Sequence, residues 1–464
     1  MDLSCIEEEE RYAREYREYV TELNGDERGR RAAWRRMGEG SAFYRGEPVA
    51  FSYLPRILGS RTRECFQEIA ETTYGILTKV IGRYVDDPEY RREFCFDPRV
   101  EELVLMPTGY EELLPVARID FVFNEDEGFK FVEFNTDSSS GMNETRESLA
   151  SIAVTDPYQR FASRHAVTTD MRRQFEDWIQ NFLRMYKSTS EAVDSPRVAI
   201  VACLDSPNPH IGELEAYRQL FEEAGCPCSV FDVRQLEFDG EKLVGRKALA
   251  GDGDVPIDCI WRFCIVVDLL DHWDEVQPFI EAIRQQKAVM IGGFRTQIVH
   301  DKQLFAVLRK PVTQVMLTPE ERCFVDRHIP QTVFLDDADL DIDAIKKHRE
   351  RWVLKPTDWY ASINVTVGAS CTEEEWSQLI DDCVANDGPS PYIVQEFCAP
   401  TKSPVIALYG AEGDFCADPQ DFGEIFGVFV HAGEYAGVYL RQGPYDVIGS
   451  ARAGLVTPVL WVQD

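Results

Sequence analysis

Two pairs of polar residues interrupt apolar runs that otherwise read as β-strands: Arg118 and Asp120 in PVARIDFVF (115–123), and Glu133 and Asn135 in FKFVEFNT (129–136). Side chains two apart on a strand point the same way, so each pair shares a face. The connector NEDEG (124–128) is short, polar and ends in glycine, the pattern of an antiparallel hairpin. Closure there brings one arginine, two carboxylates and an amide oxygen together. Hard oxygen donors of this kind suit Mg²⁺, which completes its shell with waters and nucleotide phosphates. An adjacent arginine suits negative charge developing on a phosphoryl or acyl group. The same four residues equally describe a surface hairpin with a cross-strand salt bridge, worth under ~1 kcal/mol. Spacing alone leaves both readings open.

Dispersed cations extend the pattern. Lys355 ends the apolar run WVLK, and a lysine on an interior strand needs an anion beside it. Arg441 ends YAGVYLR in the same manner. Lys302, near the start of a helix after VMIGGF, reads by itself as an ordinary solvated lysine. Gln395 and Glu396 close the apolar strand YIVQEFC, a position suited to an adenine edge or a ribose and equally to a plain strand end. No Walker A sequence occurs, so any grip on phosphate falls to such scattered cations.

The elements that must position these residues fall into three parts, 1–195, 196–297 and 298–464. The first has charged helices near 6–23 and 62–85, the hairpin, and further helix from 143 to 187, with KSTSEAVDSP (187–196) as a linker. The second alternates strand and helix: RVAIVACL (197–204), GELEAYRQLFEEAG (212–225), CSVFDV (228–233), DCIWRF (258–263), FIEAIRQQ (279–286) and VMIGGF (289–294). Alternation at this spacing predicts a small parallel sheet. It lacks G-x-G-x-x-G, and CLDSPNPHIGE is a poor dinucleotide loop, so an oxidoreductase is disfavoured. The third part has strands in RWVLKPTDWYASINVTVG (351–368), YIVQEFC (392–398), FGVFVHAGEYAGVYLRQ (426–442) and GLVTPVLWV (454–462), and a helix over 372–386. The fold class expected is α/β (α+β).

Composition narrows the function classes. With 44% hydrophobic residues over 464 positions, the chain is globular. No apolar run approaches the ~20 residues of a membrane helix, and MDLSCIEEEERYAREY does not resemble a signal peptide. A formal charge of −32 argues against nucleic acid, which needs basic stripes. Thirteen scattered cysteines without a CxxC pair, and seven unclustered histidines, argue against a zinc centre and for reduced thiols in a cytoplasmic protein.

Taken in order, Arg118-x-Asp120, Glu133-x-Asn135 with NTDSSSGMNE, IWRF (260–263), Lys302, Lys355, KPTDWYASINV, YIVQEFC and GEYAGVYLR resemble the glutathionylspermidine synthetase family over residues 40–464. The resemblance implies a circularly permuted ATP-grasp with a pre-ATP-grasp domain inserted in the middle. It implies an ATP-dependent ligase in which a carboxylate attacks the γ-phosphate to give an acyl phosphate, which an amine converts to an amide. Carried over by residue, it makes Asp120, Glu133 and Asn135 ligands of Mg²⁺, two ions being usual with Glu133 as their bridge. Arg118 becomes the charge-stabilising catalytic group, Lys302, Lys355 and Arg441 the nucleotide's cations, and Ser138 and Ser140 contacts of the acid substrate. The glutathione-using members carry an arginine in the loop after the lysine strand; here the matching residue is Tyr360, which sets the acid apart. An insertion around TPEERCFVDRHIPQTVFLDDADLDID separates the two lysines, and no amidase domain is expected. The partners implied are a small-molecule or peptide carboxylate and an amine. The rival expectation is a degenerate scaffold that binds nucleotide without turnover and acts through protein partners.

Overall fold

Val116–Asn124 and Gly128–Asn135 pair antiparallel and form one edge of an eight-stranded sheet. Beyond them lie, in order, Gln420–His431, Glu434–Gly443, Leu455–Thr457, Phe51–Ser52 and Ala407–Leu408, with Lys402–Val405 also paired to Gln420–His431. The computed structural model describes residues 5–124, 128–206, 209–359, 363–385, 391–410, 418–449 and 453–463. The strand-rich stretch 426–442 belongs to the hairpin of Gln420–His431 and Glu434–Gly443, which turns at Ala432 and Gly433, both at positive φ. Two left-handed residues match the twist of a tight hairpin.

One feature of the edge pair decides which way its polar residues face. Asp120 lies opposite Glu133 and Arg118 opposite Asn135, whereas Phe121 lies opposite Phe131, so Val132 is an extra residue and the register slips there. A bulge of this kind lets the alternation restart one residue late. It explains why Phe129, Phe131 and Phe134 are spaced unevenly yet all reach the core, with the Phe131 and Phe134 rings tilted against each other at 5.2 Å between centroids. On that face Phe66, from helix Ser60–Asp86, packs on Phe121 and Phe426, each at 5.5 Å. The opposite face carries Arg118, Asp120, Glu133 and Asn135. Gly427 is the strand partner of Asp120, and a Cβ there would lie 2.7 Å from both Arg118 Cδ and Asp120 Oδ1. Only glycine leaves these two side chains room to lie across the sheet.

A four-stranded parallel sheet comes next, ordered Val289–Ile291, Cys259–Arg262, Val198–Ala202, Cys228–Asp232. Its strands lie where the apolar runs predict them. Chain order reverses between Val198–Ala202 and Cys259–Arg262, and the loops leaving those two strands diverge into a crevice. The antiparallel sheet Leu236–Phe238, Leu243–Lys247, Asp252–Pro256 is absent from the sequence reading, because that stretch is rich in glycine and charge and lacks a continuous apolar run.

The third sheet, ordered Thr332–Phe334, Tyr392–Glu396, Trp352–Pro356, Thr366–Val367, is antiparallel throughout. Its outer face sets Leu354 and Val394 against Trp376 and Ile380 of helix Glu373–Val384. Alternation turns Val353, Lys355, Gln395 and Val367 the other way, toward the large sheet. Among the described residues, no helix is long and apolar enough to cross a membrane.

Candidate active site

Arg118 and Asp120 are buried and Glu133 and Asn135 half-buried, which removes the surface-hairpin reading. Arg118 is 6% exposed and Asp120 0%. Arg118 donates to Asp120 at 2.9 Å through Nε and 3.3 Å through Nη2, Asn135 Nδ2 donates to it at 3.1 Å, and Arg441 also pairs with it. Burial would strip Arg118 of its proton, but Asp120 outweighs that and raises its pKa. Glu133 pairs with Lys302 at 2.9 Å. Burial works against the Glu133 carboxylate, yet Lys302, with His300 and Lys355 behind it, holds its pKa down at about 2. Lys302 is 5% exposed, so it is not the solvated lysine its sequence context suggests. Its Nζ also donates to the Trp359 carbonyl at 2.7 Å.

Between the large sheet and the third sheet lies a slot open to solvent. One wall is Val122, Val132, Ile425 and Ile448 from the large sheet's side; the other is Val353, Val365, Val367 and Phe397. Two apolar walls of this kind suit a flat aromatic ring. Lys302, Lys355, Glu133 and Arg441 line the same slot. Lys355 donates to Gln395 Oε1 at 2.7 Å and to the Val132 carbonyl at 3.2 Å. Burial presses its pKa down to about 8, with Glu133 opposing and Lys302 assisting. Gln395 also donates to the Thr332 hydroxyl at 3.0 Å, so its amide serves to hold Lys355 in place. Glu396 lines the slot too, its carboxylate accepting from the Gln331 backbone N–H at 3.2 Å.

A second, more polar cavity opens on the other side of Glu133. It is lined by Arg118, Asn135, Asp137, Ser138, Ser140, Glu144, His300, Tyr439 and Arg441, and by residues of the crevice where the parallel sheet reverses. The loop carrying the serines is strapped to that sheet. Thr136 donates to the Thr296 carbonyl at 2.8 Å, Asp137 accepts from the Val266 N–H at 2.6 Å, and Ser138 donates to the Phe263 carbonyl at 2.5 Å. Asp137 also pairs with Arg262, which is 2% exposed and donates to the Gly292 and Cys264 carbonyls. Ser140 offers its backbone carbonyl to Arg118 Nη1 at 2.5 Å.

Most residues singled out from sequence therefore meet. Arg118, Asp120, Glu133, Asn135, Lys302 and Arg441 form one continuous group, Lys355, Gln395 and Glu396 line the adjoining slot, and Ser138 and Ser140 line the polar cavity. Tyr360 lies outside the described residues. The sequence reading passed over both apolar walls, Asp137 with Arg262, and Tyr439, whose ring lies 5.3 Å from the Arg118 guanidinium and 5.4 Å from that of Arg441. Asp137 was within reach, since it sits inside the quoted NTDSSS.

Among the described residues, no three or more His, Cys, Asp and Glu side chains cluster to hold a metal ion. The cross-strand group is instead two carboxylates and an amide. Its donors fit a hard divalent cation in type, being oxygens from adjoining strands. Asn135 turns its N–H toward Asp120, which directs its amide oxygen elsewhere. Both carboxylates already carry cations of the protein, so a metal would have to share or displace them.

No family model and no curated protein matches the sequence. Among solved structures, a glutathione synthetase-like effector from Globodera pallida, in its apoform, superposes with a TM-score of 0.60 at 12% identity, over 94% of this chain and 96% of that one. A protein assigned as a gamma-glutamylcysteine synthetase from Methylobacillus flagellatus KT aligns over 82% of this chain and 86% of that one, at 12% identity and a TM-score of 0.41, too distant to carry an argument. The first likeness gives the fold alone: a mixed α/β architecture shared with a glutathione synthetase-like effector. It does not single out the glutathionylspermidine synthetases, so that finer resemblance narrows to the coarser one.

Proposed function

We propose that this chain is an ATP- and Mg²⁺-dependent ligase that joins a carboxylate to an amine through an acyl phosphate, releasing an amide, ADP and phosphate. One observation carries the reading: Glu133 and Arg441 line both the apolar slot and the polar cavity. A nucleotide with its base between the two apolar walls then has its terminal phosphate at the boundary with the cavity, where a substrate carboxylate meets it. The fold shared with a glutathione synthetase-like protein supports the same reading.

In this reading the protein's work is positioning and charge neutralisation, which is what phosphoryl transfer chiefly asks of it. Lys355, braced by Gln395, and Lys302 neutralise the phosphates. Arg118, fixed by Asp120, faces the charge that develops as the carboxylate oxygen bonds to phosphorus and ADP leaves. Asp120, Glu133 and Asn135 would hold Mg²⁺, which supplies Lewis-acid neutralisation of phosphate oxygens when bound. Ser138 and Ser140 contact the acid, and the 196–297 unit, as a pre-ATP-grasp-like domain, contributes the cavity's far wall. The amine nitrogen then bonds to the acyl carbon, the carbon–oxygen bond to phosphate breaks, and the nitrogen loses a proton.

The test is ADP release from ATP and Mg²⁺ over a panel of acids and amines, with the product weighed by mass spectrometry. ADP and an amide in equal amounts from one pair are expected. Nucleotide binding without ADP from any pair would decide for a scaffold that binds without turnover.

A further inference from the structure

Asp120 and Glu133 are both already occupied by cations of the protein. Arg118 and Arg441 sit on Asp120, Lys302 sits on Glu133, and Lys355 faces Glu133 from the opposite sheet. Acids are not scarce around them, since Asp301 and Asp358 also act on Lys302 and Glu144 accepts from Tyr439 beside Arg441. Both carboxylates are nevertheless engaged, so a bare divalent cation arriving here has to displace a protein cation and then lie beside it. A triphosphate changes this, because its negative charges give Arg441 and the lysines another partner.

We infer that Arg441 and Lys302 are exchangeable counter-ions, which occupy the carboxylates of Asp120 and Glu133 until nucleotide draws them off and so make divalent-cation binding conditional on nucleotide. This rests on the ligase reading above and assigns an order of assembly to the same site. Arg441 is the better placed of the two to move. Its side chain is 15% exposed and lines both cavities, whereas the Arg118 guanidinium is also tied to the Ser140 carbonyl. When Arg441 leaves, Arg118 and Asn135 remain on Asp120, so the buried carboxylate is never stripped of partners. Lys302 keeps the Trp359 carbonyl when it leaves Glu133.

The experiment is equilibrium binding of Mn²⁺, read from the electron paramagnetic resonance signal of the free ion, on the full chain without nucleotide. Binding of a non-hydrolysable ATP analogue, AMP-PNP, is measured beside it by calorimetry in EDTA and in Mn²⁺. Wild-type protein is expected to bind AMP-PNP in EDTA and to hold Mn²⁺ weakly by itself. Removing one adjacent positive charge, by Arg441→Gln or separately by Lys302→Gln, should tighten nucleotide-free Mn²⁺ binding by about tenfold or more. Arg441→Lys, which keeps the charge, should leave it near the wild-type value. Two substitutions, one on strand Glu434–Gly443 and one in the turn before helix Leu304–Arg309, guard against one failing to fold. Unchanged Mn²⁺ affinity in the folded Gln variants overturns the inference, as does wild-type protein that binds Mn²⁺ as tightly alone as with AMP-PNP; both outcomes leave the ligase reading standing. Absence of AMP-PNP binding under every condition instead removes the nucleotide reading, and the inference with it.

Discussion

Asp120 and Asp170 are both buried carboxylates held by protein donors, yet they sit in opposite kinds of surroundings. Asp170 precedes helix Met171–Lys187 and accepts from Tyr435 Oη at 2.8 Å, Trp461 Nε1 at 2.6 Å and Arg63 at 3.2 Å. One cation and two neutral donors enclose it, and it lines none of the cavities around the site. Asp120 accepts from two guanidinium groups and an amide, and its arginines line an open cavity with two lysines nearby. A buried charge whose partners are closed off joins elements: here a helix and two strands. A buried charge whose partners exceed it and face empty space is arranged for something that is yet to bind.

Substitutions on each side test that distinction. Glu133→Gln keeps the shape and an acceptor for Lys302 but removes the charge, and ATP cleavage should fall by about 10³-fold, a loss typical of removing a main electrostatic contact. Its stability should fall by less than that of the next variant, because Lys302 keeps an acceptor there and the Trp359 carbonyl. Asp170→Ala should do the reverse. It leaves half-buried Arg63, the buried Tyr435 hydroxyl and the buried Trp461 N–H without their acceptor and should cost about 3–5 kcal/mol of stability by urea unfolding, while the folded fraction binds AMP-PNP normally. Similar stability losses in the two variants, or an active Glu133→Gln enzyme, would erase the contrast.

The sequence revealed the polar half of the site and hid the apolar half, for a physical reason. Arg118, Asp120, Glu133 and Asn135 contradict the strands they sit on, and a local rule broken at four nearby positions is visible in one window. Lys355 and Arg441 are conspicuous for the same reason. The walls of the slot break no rule. Val122, Val132, Val353, Val365, Val367, Ile425 and Ile448 are ordinary apolar residues of strands and the loops beside them until three segments far apart in sequence bring them face to face. The bulge at Val132 was present as uneven phenylalanine spacing, but only the register shows that it aims Glu133 at the site. Lys302 was the hardest to place, because its anion is Glu133 on another element. The parallel sheet was legible because continuous apolar runs mark doubly covered strands. The small sheet after it was not, since its strands are short and polar.

The hidden half gives the third prediction, at intermediate size. Ile448 packs with Val122 and Ile425 on the slot wall. Ile448→Ala removes apolar surface that a bound ring would cover, and should weaken AMP-PNP by about tenfold, near the ~1.5 kcal/mol lower end for burying such a side chain. The maximal rate at saturating ATP should change little, because no group at the phosphate end is touched. A fall in maximal rate equal to the fall in affinity would move the ring away from this wall.

The smallest effects come from pH, and they separate the two kinds of buried charge by sign. Glu133 is held at about 2 against an ordinary 4.5. The folded state therefore favours its ionised form, and the stability it contributes is complete above pH 4.5 and lost as pH falls toward 2. Asp170 is shifted up from 3.8, chiefly by burial. Its contribution has the opposite slope, with stability falling as pH rises from 3.8 through the folded value, because the folded state there holds the extra proton. Lys355 behaves like neither. Its folded value of about 8 lies below the ordinary 10.5, so the unfolded chain binds more protons between those limits and stability rises with pH across them. Nucleotide affinity should move the other way over the same range, weakening severalfold from pH 7.5 to 9.5 as the ammonium that meets the phosphates is neutralised. Calorimetric titration of AMP-PNP across that range, in wild type and Lys355→Gln, reads this directly. The variant should bind weakly with a flat profile, and a wild-type profile that is equally flat would place the lysine away from the phosphates.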